Sequence, residues 1–530
     1  MSRDSADAVV IGAGHNGLVA AAMLADAGWD VLVLEAQPEP GGAVKSAELV
    51  PGYTSDLFSA FYPLSVASPA LRALNLEDHG LRWTHAPAVV GHPRSAADDD
   101  APMIYRDIDR TAAELDRHHA GDGRRWCDLF EQWLKIKDGL ISSLFTPFPP
   151  VSGLMQLLRK LGTAEALRLA QQLVMPAGIM AEHLFDGDAA RLLLLGNAMH
   201  ADVPIDGVGS AVMGYLLIMM AQDGGWPVPV GGAGQLTAAL VNRARSAGAR
   251  IECDRRVDGI DVRGGRAVGV RVSDGTTVRV RRAVIADTSA PRLYRDLLPE
   301  HAVPAAVRRS FDRFVWDTPV LKINYGLDAP VPWRSKNLND AGTVHVGADH
   351  DGLVRWMADL NTRTLPQQPF MLFGQMTTAD PTRSPAGTES AWAYTHLPRG
   401  MADDASADRL SEIVDHVLEE HAPGFGDRVI GRVVQRPSDL EGADANLHTG
   451  AVNGGTSQLY QQLIFRPVPG FGTAETPVAN VFLGSAGAHP GGGVHGVCGR
   501  NAAKAALAND GVLGWPRRKL SKAVLSLVTR

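Results

Sequence analysis

The sequence has little of several features that define large protein classes. Its 530 residues include three cysteines, Cys127, Cys253 and Cys498, which lie far apart and form no CxxC pair. This spacing excludes a dithiol redox motif and a cysteine zinc site, so no metal is predicted. The net charge of −7 gives no electrostatic reason to bind nucleic acid.

Long apolar runs and a leader sequence are also missing. No apolar run approaches the roughly 20 residues that a membrane span needs, and only a few polar residues precede the first apolar stretch. We therefore expect a cytoplasmic protein. Residues 511–530 form a basic, amphipathic tail. This tail leaves two alternatives open, peripheral contact with a membrane surface or a solvated terminal helix that contacts a partner.

What the sequence does contain is organised around its N-terminus. An apolar run at residues 7–11 leads into the glycine turn of residues 12–17. An alanine-rich helix follows, and then a second apolar run at residues 31–34 that ends in Glu35. Strand, glycine turn, helix, strand and acid in this order are typical of a dinucleotide-binding βαβ unit.

Each residue of this fingerprint has a physical task. Gly12 permits the tight turn, Gly14 lets a pyrophosphate approach the backbone, and Gly17 lets the helix pack closely on the sheet. Free amides and the helix dipole then hold the phosphates. Glu35 is placed to accept hydrogen bonds from ribose hydroxyls. The alternative is a glycine-rich turn without a ligand.

A second glycine pair follows the acid. Gly41 and Gly42 come a few residues after Glu35. This spacing resembles the extended fingerprint of two-domain FAD enzymes of the glutathione-reductase and amine-oxidase kind. The resemblance implies FAD rather than NAD as the cofactor.

The rest of the chain predicts two domains, as its length also requires. Residues 111–220 are mainly helical, as a buried subdomain or as a lid over an apolar tunnel. From residue 225 the sequence predicts a helix, a strand, a small antiparallel meander and a returning strand. An FAD domain of this class has these elements after its first βαβ unit. Strand candidates then follow at residues 320–325, 353–360, 370–377 and 390–397, with an amphipathic helix at 408–420.

The predicted fold class is therefore α/β. An FAD-binding Rossmann-type domain, like those of glutathione reductase and amine oxidases, is joined to a discontinuous α+β substrate domain with a helical insertion. We predict the FAD-binding domain over residues 1–80, 225–300 and 470–510. The substrate domain with its helical cap is predicted over residues 81–224 and 301–469, and the tail over 511–530.

A second glycine-rich segment closes the predicted FAD domain. Residues 491–496 also spell GxGxxG, but Pro490 and the lack of a following strand with an acid argue against a second nucleotide site. We instead interpret residues 484–496 as a segment that lies against the flavin. The start of the last helix then lies near the pyrimidine oxygens of the flavin.

These motifs together resemble a known family. The opening turn, Glu35, the Gly41-Gly42 pair and the stretch Gly487-Ala488-His489-Pro490-Gly491-Gly492-Gly493 are similar to bacterial phytoene desaturases and their relatives. The most similar branch is the pyridine nucleotide-disulphide oxidoreductase domain-containing protein 2 family. Carotenoid desaturases usually carry Arg where this chain has Ala43, so the resemblance does not imply a carotenoid substrate.

The resemblance and the motifs assign candidate site residues. Lys322 interrupts an apolar strand and resembles by context the lysine that holds a water near the flavin in amine oxidases; the alternative is a lysine pointing to solvent from an edge strand. His489 is the second catalytic candidate, and its alternative is a structural histidine bonded to a loop carbonyl. The predicted cofactor-binding residues are Gly12, Ala13, Gly14, Asn16, Gly17, Glu35, Ala36, Gly41, Gly42, Ala43, Val257, Gly484, Gly487, Gly493 and Val494.

The expected function is that of an FAD-dependent oxidoreductase acting on an apolar, isoprenoid or lipid-like small-molecule substrate. Dehydrogenation, desaturation, oxidation and isomerisation all remain open, as does the choice of oxygen or a quinone as electron acceptor. The alternative from another class is a flavin-binding regulatory or interaction protein with little turnover. A substrate cavity lined by Lys322 and His489 favours the enzyme.

Overall fold

The structure is a computed structural model of the chain. It describes residues 5–511 and residue 514. The predicted basic tail therefore lies outside the described residues from 515 onward, and its contact with a membrane stays a prediction. Within the described residues no helix combines the length and the apolar character needed to cross a bilayer.

Runs of strands and runs of α-helices follow one another along the described chain. The strands are β1 (Ser5–Ile11), β2 (Val31–Leu34), β3 (Ser46–Val50), β4 (Tyr53–Asp56), β5 (Trp83–Thr84), β6 (Ala88–Gly91), β7 (Met103–Ile104), β8 (Val228–Pro229), β9 (Arg250–Glu252), β10 (Val257–Arg263), β11 (Arg266–Val272), β12 (Thr277–Ala286), β13 (Val320–Leu327), β14 (Ala341–Val346), β15 (Met371–Gln375), β16 (Glu389–His396), β17 (Val429–Gln435) and β18 (Val481–Leu483). The helices are α1 (His15–Asp26), α2 (Pro63–Ala67), α3 (Pro69–Arg72), α4 (Ile108–His118), α5 (Asp122–Phe145), α6 (Val151–Val174), α7 (Ala177–Leu184), α8 (Asp188–Ala198), α9 (Ser210–Asp223), α10 (Ala233–Ser246), α11 (Ala305–Phe311), α12 (His350–Thr362), α13 (Met376–Ala379), α14 (Asp404–His421), α15 (Phe425–Arg428), α16 (Pro437–Ala443) and α17 (Val497–Asp510).

The first large sheet, sheet A, is built around β1. Strands β12, β1, β2 and β9 run parallel, β18 joins β12 in the same direction, and β10 and β11 extend the sheet as an antiparallel meander. Both faces are covered, as parallel sheets require. In β2, Val33 packs into the core that holds α1, α10 and α17, whereas Leu32 and Leu34 enter the core on the opposite face.

The second large sheet, sheet B, has the strand order β17-β13-β16-β15-β14-β6-β7. Its pairs are antiparallel except for β14 with β6. Helix α14 covers one face, where Leu410, Val414 and Leu418 join the core of the sheet. Apolar side chains of α5, α8 and α9 cluster over the other face with Leu372 and Trp392. The site described below lies on this second face.

One predicted element is wrong. Residues 353–360 are predicted as a strand, but they lie within α12. Leu353, Trp356, Met357 and Leu360 are buried at helical spacing, because their separations of three and four residues place them on one helix face. Asp349 caps this helix by accepting a hydrogen bond from the Gly352 amide at 2.8 Å.

Candidate active site

The opening glycine turn is held by close backbone contacts. A Cβ on Gly17 would lie 2.2 Å from the Gly12 carbonyl oxygen, and a Cβ on Gly14 would lie 2.7 Å from Oδ2 of Asp287. The Gly17 amide donates to the same Asp287 oxygen at 2.8 Å. Only glycine fits at these two positions, so the turn keeps the start of α1 tight against the end of β12.

Glu35 organises the same turn from the end of β2. Its Oε2 accepts a hydrogen bond from the Ala13 amide at 2.7 Å, and its Oε1 accepts one from the Gln37 amide at 2.9 Å. A carboxylate has about four lone-pair positions. Glu35 therefore keeps acceptor capacity for ribose hydroxyls while it fixes the loop.

The second glycine pair lies directly on this turn. Gly41 forms a bridge with Gly14, and its amide donates to the Ala13 carbonyl at 2.9 Å. A Cβ on Gly42 would lie 3.2 Å from the Gly14 Cα. The fingerprint and the Gly-Gly motif thus form one backbone cradle, in which side chains are absent where a phosphate would approach.

The C-terminal glycine segment closes over the same place. Ser65 Oγ donates to the Val494 carbonyl, and the His15 ring interacts with the Gly493 backbone. A Cβ on Gly499 would lie 1.8 Å from the Asn16 carbonyl oxygen. Residues 484–496 therefore lie beside the opening turn, although they are more than 450 positions away in sequence.

The predicted cofactor residues divide between this cradle and its surroundings. Gly484 packs on Ile285 and Gly487 on Ala290, so both fix the C-terminal segment against sheet A. Val257 is buried at the start of β10, close to Glu35, whose carbonyl accepts from the Arg255 amide at 2.7 Å. Ala36 is exposed. Their contact with a cofactor stays a prediction.

Buried carboxyl groups surround the cradle. Asp287 is buried, and desolvation raises the pKa of its carboxyl to about 8, helped by the nearby Asp444 and Glu35 carboxylates. Burial also raises the pKa of Asp444. A protonated Asp287 at neutral pH reduces the negative charge beside the phosphate position.

Sheet B carries a second constellation. Its pairing register aligns Lys322 of β13 with Tyr394 of β16, Tyr394 with Leu372 of β15, and Leu372 with His345 of β14. This row crosses four strands, so its ends are about 14 Å apart at the usual strand spacing. All four side chains point to the same face because paired residues share a side of the sheet.

A neighbouring row of residues lies on the same face of sheet B. It aligns Asn324, Trp392, Gly374 and Thr343 across the same strands. A Cβ on Gly374 would lie 2.2 Å from the Trp392 indole ring. Glycine is therefore required for the indole to lie flat across β15.

Five residues of these two rows line a cavity of about 190 Å³, namely Lys322, Tyr394 and Leu372 of the first row and Trp392 and Thr343 of the second. Aromatic and aliphatic side chains make up most of its wall, and a few polar groups interrupt them. The lining residues are Phe58, Ser59, Ala60, Phe61, Pro63, His200, Leu217, Trp226, Lys322, Thr343, Leu372, Trp392 and Tyr394. A larger, charged cleft of about 520 Å³ beside Arg295 and Arg308 shares no lining residue with this cavity.

Lys322 lies in this wall and not in solvent. The residue is 3 % exposed, and β13 is flanked on both sides by β16 and β17, which excludes the edge-strand alternative. Its Nζ donates to the carbonyls of Asp56 and Phe58, the latter at 3.0 Å. Burial lowers the pKa of the amine to about 7, and the Arg383 guanidinium adds to this shift while the Asp56 carboxylate opposes it.

A buried ion network supports Lys322 from below. Arg383 donates to Asp56 Oδ2 at 2.9 Å and to Asp380 Oδ2 at 3.0 Å, and all three side chains are essentially inaccessible. Asp56 Oδ1 also accepts from the Ala233 amide at 2.7 Å. The segment that carries the carbonyls for Lys322 is thus fixed to α10 and to the loop that holds Asp380 and Arg383.

His489 makes the contact expected of a structural histidine, a hydrogen bond to a loop carbonyl. Its Nε2 lies 3.0 Å from the Thr146 carbonyl oxygen, and the residue does not line the cavity among the described residues. Burial lowers the pKa of its ring. The catalytic role of His489 stays a prediction that this geometry does not favour.

Sequence reasoning missed the polar groups opposite Lys322. These are His200 after α8, Trp226, and Thr343 and His345 on β14, a strand the sequence analysis did not predict. The available signal is the alternation in Ala341–Val346, where Thr343 and His345 interrupt an apolar run at a spacing of two. A spacing of two places both side chains on one face of a strand.

Residues 17–507 match a family model for flavin containing amine oxidoreductases. The chain therefore belongs to the flavin containing amine oxidoreductase family. FAD is the cofactor of this class, and the glycine cradle, the helix start and Glu35 fit a dinucleotide. The protein is thus an FAD-dependent oxidoreductase of the amine oxidase and desaturase type.

Two relatives and one solved structure are similar to this chain over most of its length. It is 28 % identical to pyridine nucleotide-disulfide oxidoreductase domain-containing protein 2 of Rattus norvegicus, over 94 % of this chain and 92 % of the relative. It is 24 % identical to the lycopene-forming phytoene desaturase of Pseudescherichia vulneris, over 94 % and 98 %. An oxidoreductase structure from Methanosarcina mazei shares the fold, with a TM-score of 0.60, 18 % identity and coverage of 94 % and 99 %.

Proposed function

We propose that the protein dehydrogenates an apolar small molecule that enters the cavity on sheet B. The observation that carries this proposal is the position of Lys322, a buried amine in the wall of an otherwise largely apolar cavity. An amine in such a place costs desolvation energy and needs a reason to be retained. Proton transfer at the reacting carbon supplies that reason.

FAD, when bound, supplies the acceptor for a hydride from a substrate C–H bond. The substrate also loses a proton in a dehydrogenation, and the chain must take it. Lys322 has two backbone carbonyls as fixed partners, and its pKa of about 7 leaves much of the amine neutral at physiological pH. A neutral Lys322 accepts this proton directly or through a water that it holds.

The remaining wall selects the substrate and excludes water. The rings of Phe61 and Trp392 contact each other in a tilted arrangement, with 6.2 Å between their centroids. Leu217 and Leu372 add aliphatic surface. These groups favour an apolar, isoprenoid or lipid-like body in the substrate. A relative that bears the name phytoene desaturase supports the same class of reaction. Oxygen or a quinone then removes the electrons.

The test is reduction of the bound flavin. Holoprotein is mixed anaerobically with candidate lipids, amines and polyenes, and the flavin absorbance is followed. We expect one class to bleach the flavin and Lys322→Met to slow this step about 100-fold, the lower range for a general base. Lys322→Met that bleaches as fast as wild type contradicts the role of Lys322.

The open cavity also supports an enzyme over a flavin-binding regulatory protein, because a protein without turnover has no use for a buried amine in a substrate-sized space. If no compound reduces the flavin while dithionite does, the regulatory alternative is favoured. Retention of FAD by the purified protein is the control in both cases.

A further inference from the structure

The end of the cavity opposite Lys322 contains buried polar atoms without partners. Trp226 and Thr343 both line the cavity and are 4 % and 2 % exposed. Neither Trp226 Nε1 nor Thr343 Oγ1 makes a hydrogen bond to any described residue. Leaving such a group unsatisfied costs about 1–3 kcal/mol, so a pair of them in one cavity requires an explanation.

The other polar groups of the cavity already have partners. Ser59 Oγ lies 2.9 Å from the Ala43 carbonyl oxygen, and Lys322 donates to two carbonyls. Tyr394 OH lies 3.4 Å from His396 Nε2. The unsatisfied hydrogen-bonding capacity of the wall is therefore concentrated at Trp226 and Thr343.

His200 stands beside this pair with a fixed ring. Its Nε2 lies 3.0 Å from His345 Nε2, and its ring centroid lies 5.4 Å from that of Trp226. Two ring nitrogens at this distance share one proton, so one of them donates and the other accepts. His345 follows Thr343 by two residues on β14 and is fully buried. It acts as a positioning residue that holds His200 in the cavity wall.

We propose that Trp226, Thr343 and His200 bind an oxygen atom of the substrate, so that the substrate is an apolar molecule carrying a carbonyl or hydroxyl group. An indole N–H can only donate, which demands an acceptor on the ligand. The Thr343 hydroxyl can donate to the same oxygen. This proposal rests on the proposed function, because it names the substrate class for that same cavity.

The position of this oxygen site also orients the substrate. Lys322 and His345 stand at opposite ends of one row on sheet B, about 14 Å apart at the backbone. A substrate anchored by its oxygen near β14 extends its apolar body over Leu372 toward Lys322. The carbon that is oxidised is then separated from the oxygen-bearing carbon.

The test compares two probes of nearly equal shape, cyclohexanone and methylenecyclohexane. Either is small enough, since a 150 Å³ apolar cavity accepts benzene. The holoprotein is titrated with each probe, and dissociation constants are taken from the flavin difference spectrum and from calorimetry. We expect the ketone to bind at least 10-fold more tightly, the ratio expected for one good hydrogen bond to a buried donor.

Two variants test which residues cause the preference for the ketone. Thr343→Val keeps the shape of the wall and removes its hydroxyl group. Trp226→Phe removes the indole N–H together with part of the ring, and we expect each variant to reduce the ratio to threefold or less. Tyr215→Phe is the control, because it removes another buried hydroxyl that has no partner among the described residues but does not line this cavity, and it should keep the wild-type ratio. The retained flavin absorbance shows that each variant is folded.

Three outcomes overturn the proposal. They are equal affinity of the two probes for wild type, binding of neither probe, or an unchanged ratio in both Thr343→Val and Trp226→Phe. The readout is binding and not turnover. A protein that prefers the ketone but reduces its flavin with no substrate therefore counts against the proposed function alone, and leaves the oxygen site standing.

Discussion

Sheets A and B differ in how the functional region on each is built. At the cradle on sheet A, the chain removes side chains so that backbones touch. Cβ atoms on Gly17 and Gly499 would lie 2.2 Å and 1.8 Å from carbonyl oxygens. On the cavity face of sheet B, the chain instead buries polar side chains, among them Lys322, Thr343 and His345. One region is specified by absent atoms and the other by functional groups that cost stability.

This difference teaches how substitutions should act. An added methyl group at the cradle meets backbone, which cannot move aside. A change in the cavity wall meets side chains and alters charge or hydrogen bonding while the fold remains. The two regions should therefore fail in different ways, the first by losing fold and cofactor together, and the second by losing chemistry while the flavin stays bound.

The largest effect is expected for Gly17→Val. Its Cβ would overlap the Gly12 carbonyl, which should cost about 4 kcal/mol or more, the upper range for one substitution. We expect the variant to be purified without FAD, as measured by absorbance, and to unfold at lower denaturant concentration. Gly442→Ala is the control, because a Cβ there meets nothing within 4 Å. A yellow, stable Gly17→Val protein would contradict the cradle.

The next effect concerns Arg383→Met beneath the cavity. This variant leaves Asp56 and Asp380 buried without their partner, which typically costs about 3–5 kcal/mol. Chemical denaturation measures the loss. Arg383→Lys, which keeps the charge but not the two-sided contact, should fall between wild type and Arg383→Met. A loss below about 1 kcal/mol would contradict a stabilising role for this buried ion network.

Lys322→Met should separate chemistry from fold. We expect FAD to remain bound and flavin reduction by substrate to slow about 100-fold. Stopped-flow absorbance measures the rate, and the flavin content of the purified protein is the control. Loss of FAD together with rate would show that sheet B shares the behaviour of the cradle.

The last prediction is a pH dependence of stability, which is small over any one pH unit. The pKa of Lys322 is about 7 in the folded protein, below its usual 10.5. The unfolded chain thus binds one more proton between these values, and wild-type stability rises with pH across this window by up to about 1.4 kcal/mol per unit. Below pH 7 both states are protonated and the folded state bears the full desolvation cost. Unfolding of wild type and Lys322→Met at several pH values should show this slope in wild type alone.

The pKa of Lys322 also predicts how the rate of flavin reduction depends on pH. Flavin reduction should rise with pH through about 7, as Lys322 loses its proton and becomes able to accept one from the substrate. Since Arg383 depresses this pKa and Asp56 raises it, Arg383→Met should move the midpoint upward.

The two sheets also differ in how far the sequence predicts them. The cradle is visible because its glycines, Glu35 and the flanking strands lie within 42 residues, and FAD and the amine-oxidase-like fold are confirmed. The cavity is not visible in the same way, because its rows join residues from four strands that only the register brings together. Lys322 is predicted from its apolar neighbours, and Thr343 is marked only by the alternation in β14. His200 and Trp226 have no local pattern that marks them.

The error at residues 353–360 has the same origin. The apolar residues of this stretch suit either period in a short window, and the Asp349 cap that decides for a helix precedes the stretch. Helix α6 shows a related limit. The sequence predicts only a mainly helical segment over residues 111–220, and it does not predict the break inside α6 at Gly162, whose φ is +73°.

The contact between α17 and α1 has a consequence for biosynthesis. Asn16 accepts from the Gly499 amide across 483 positions, and β18 adds to sheet A only after nearly the whole chain has been made. At about 5–20 residues per second, a ribosome needs roughly 25–100 s between these two points. The N-terminal turn lacks these contacts for that time, so we expect the coenzyme to bind stably only after α17 has been synthesised.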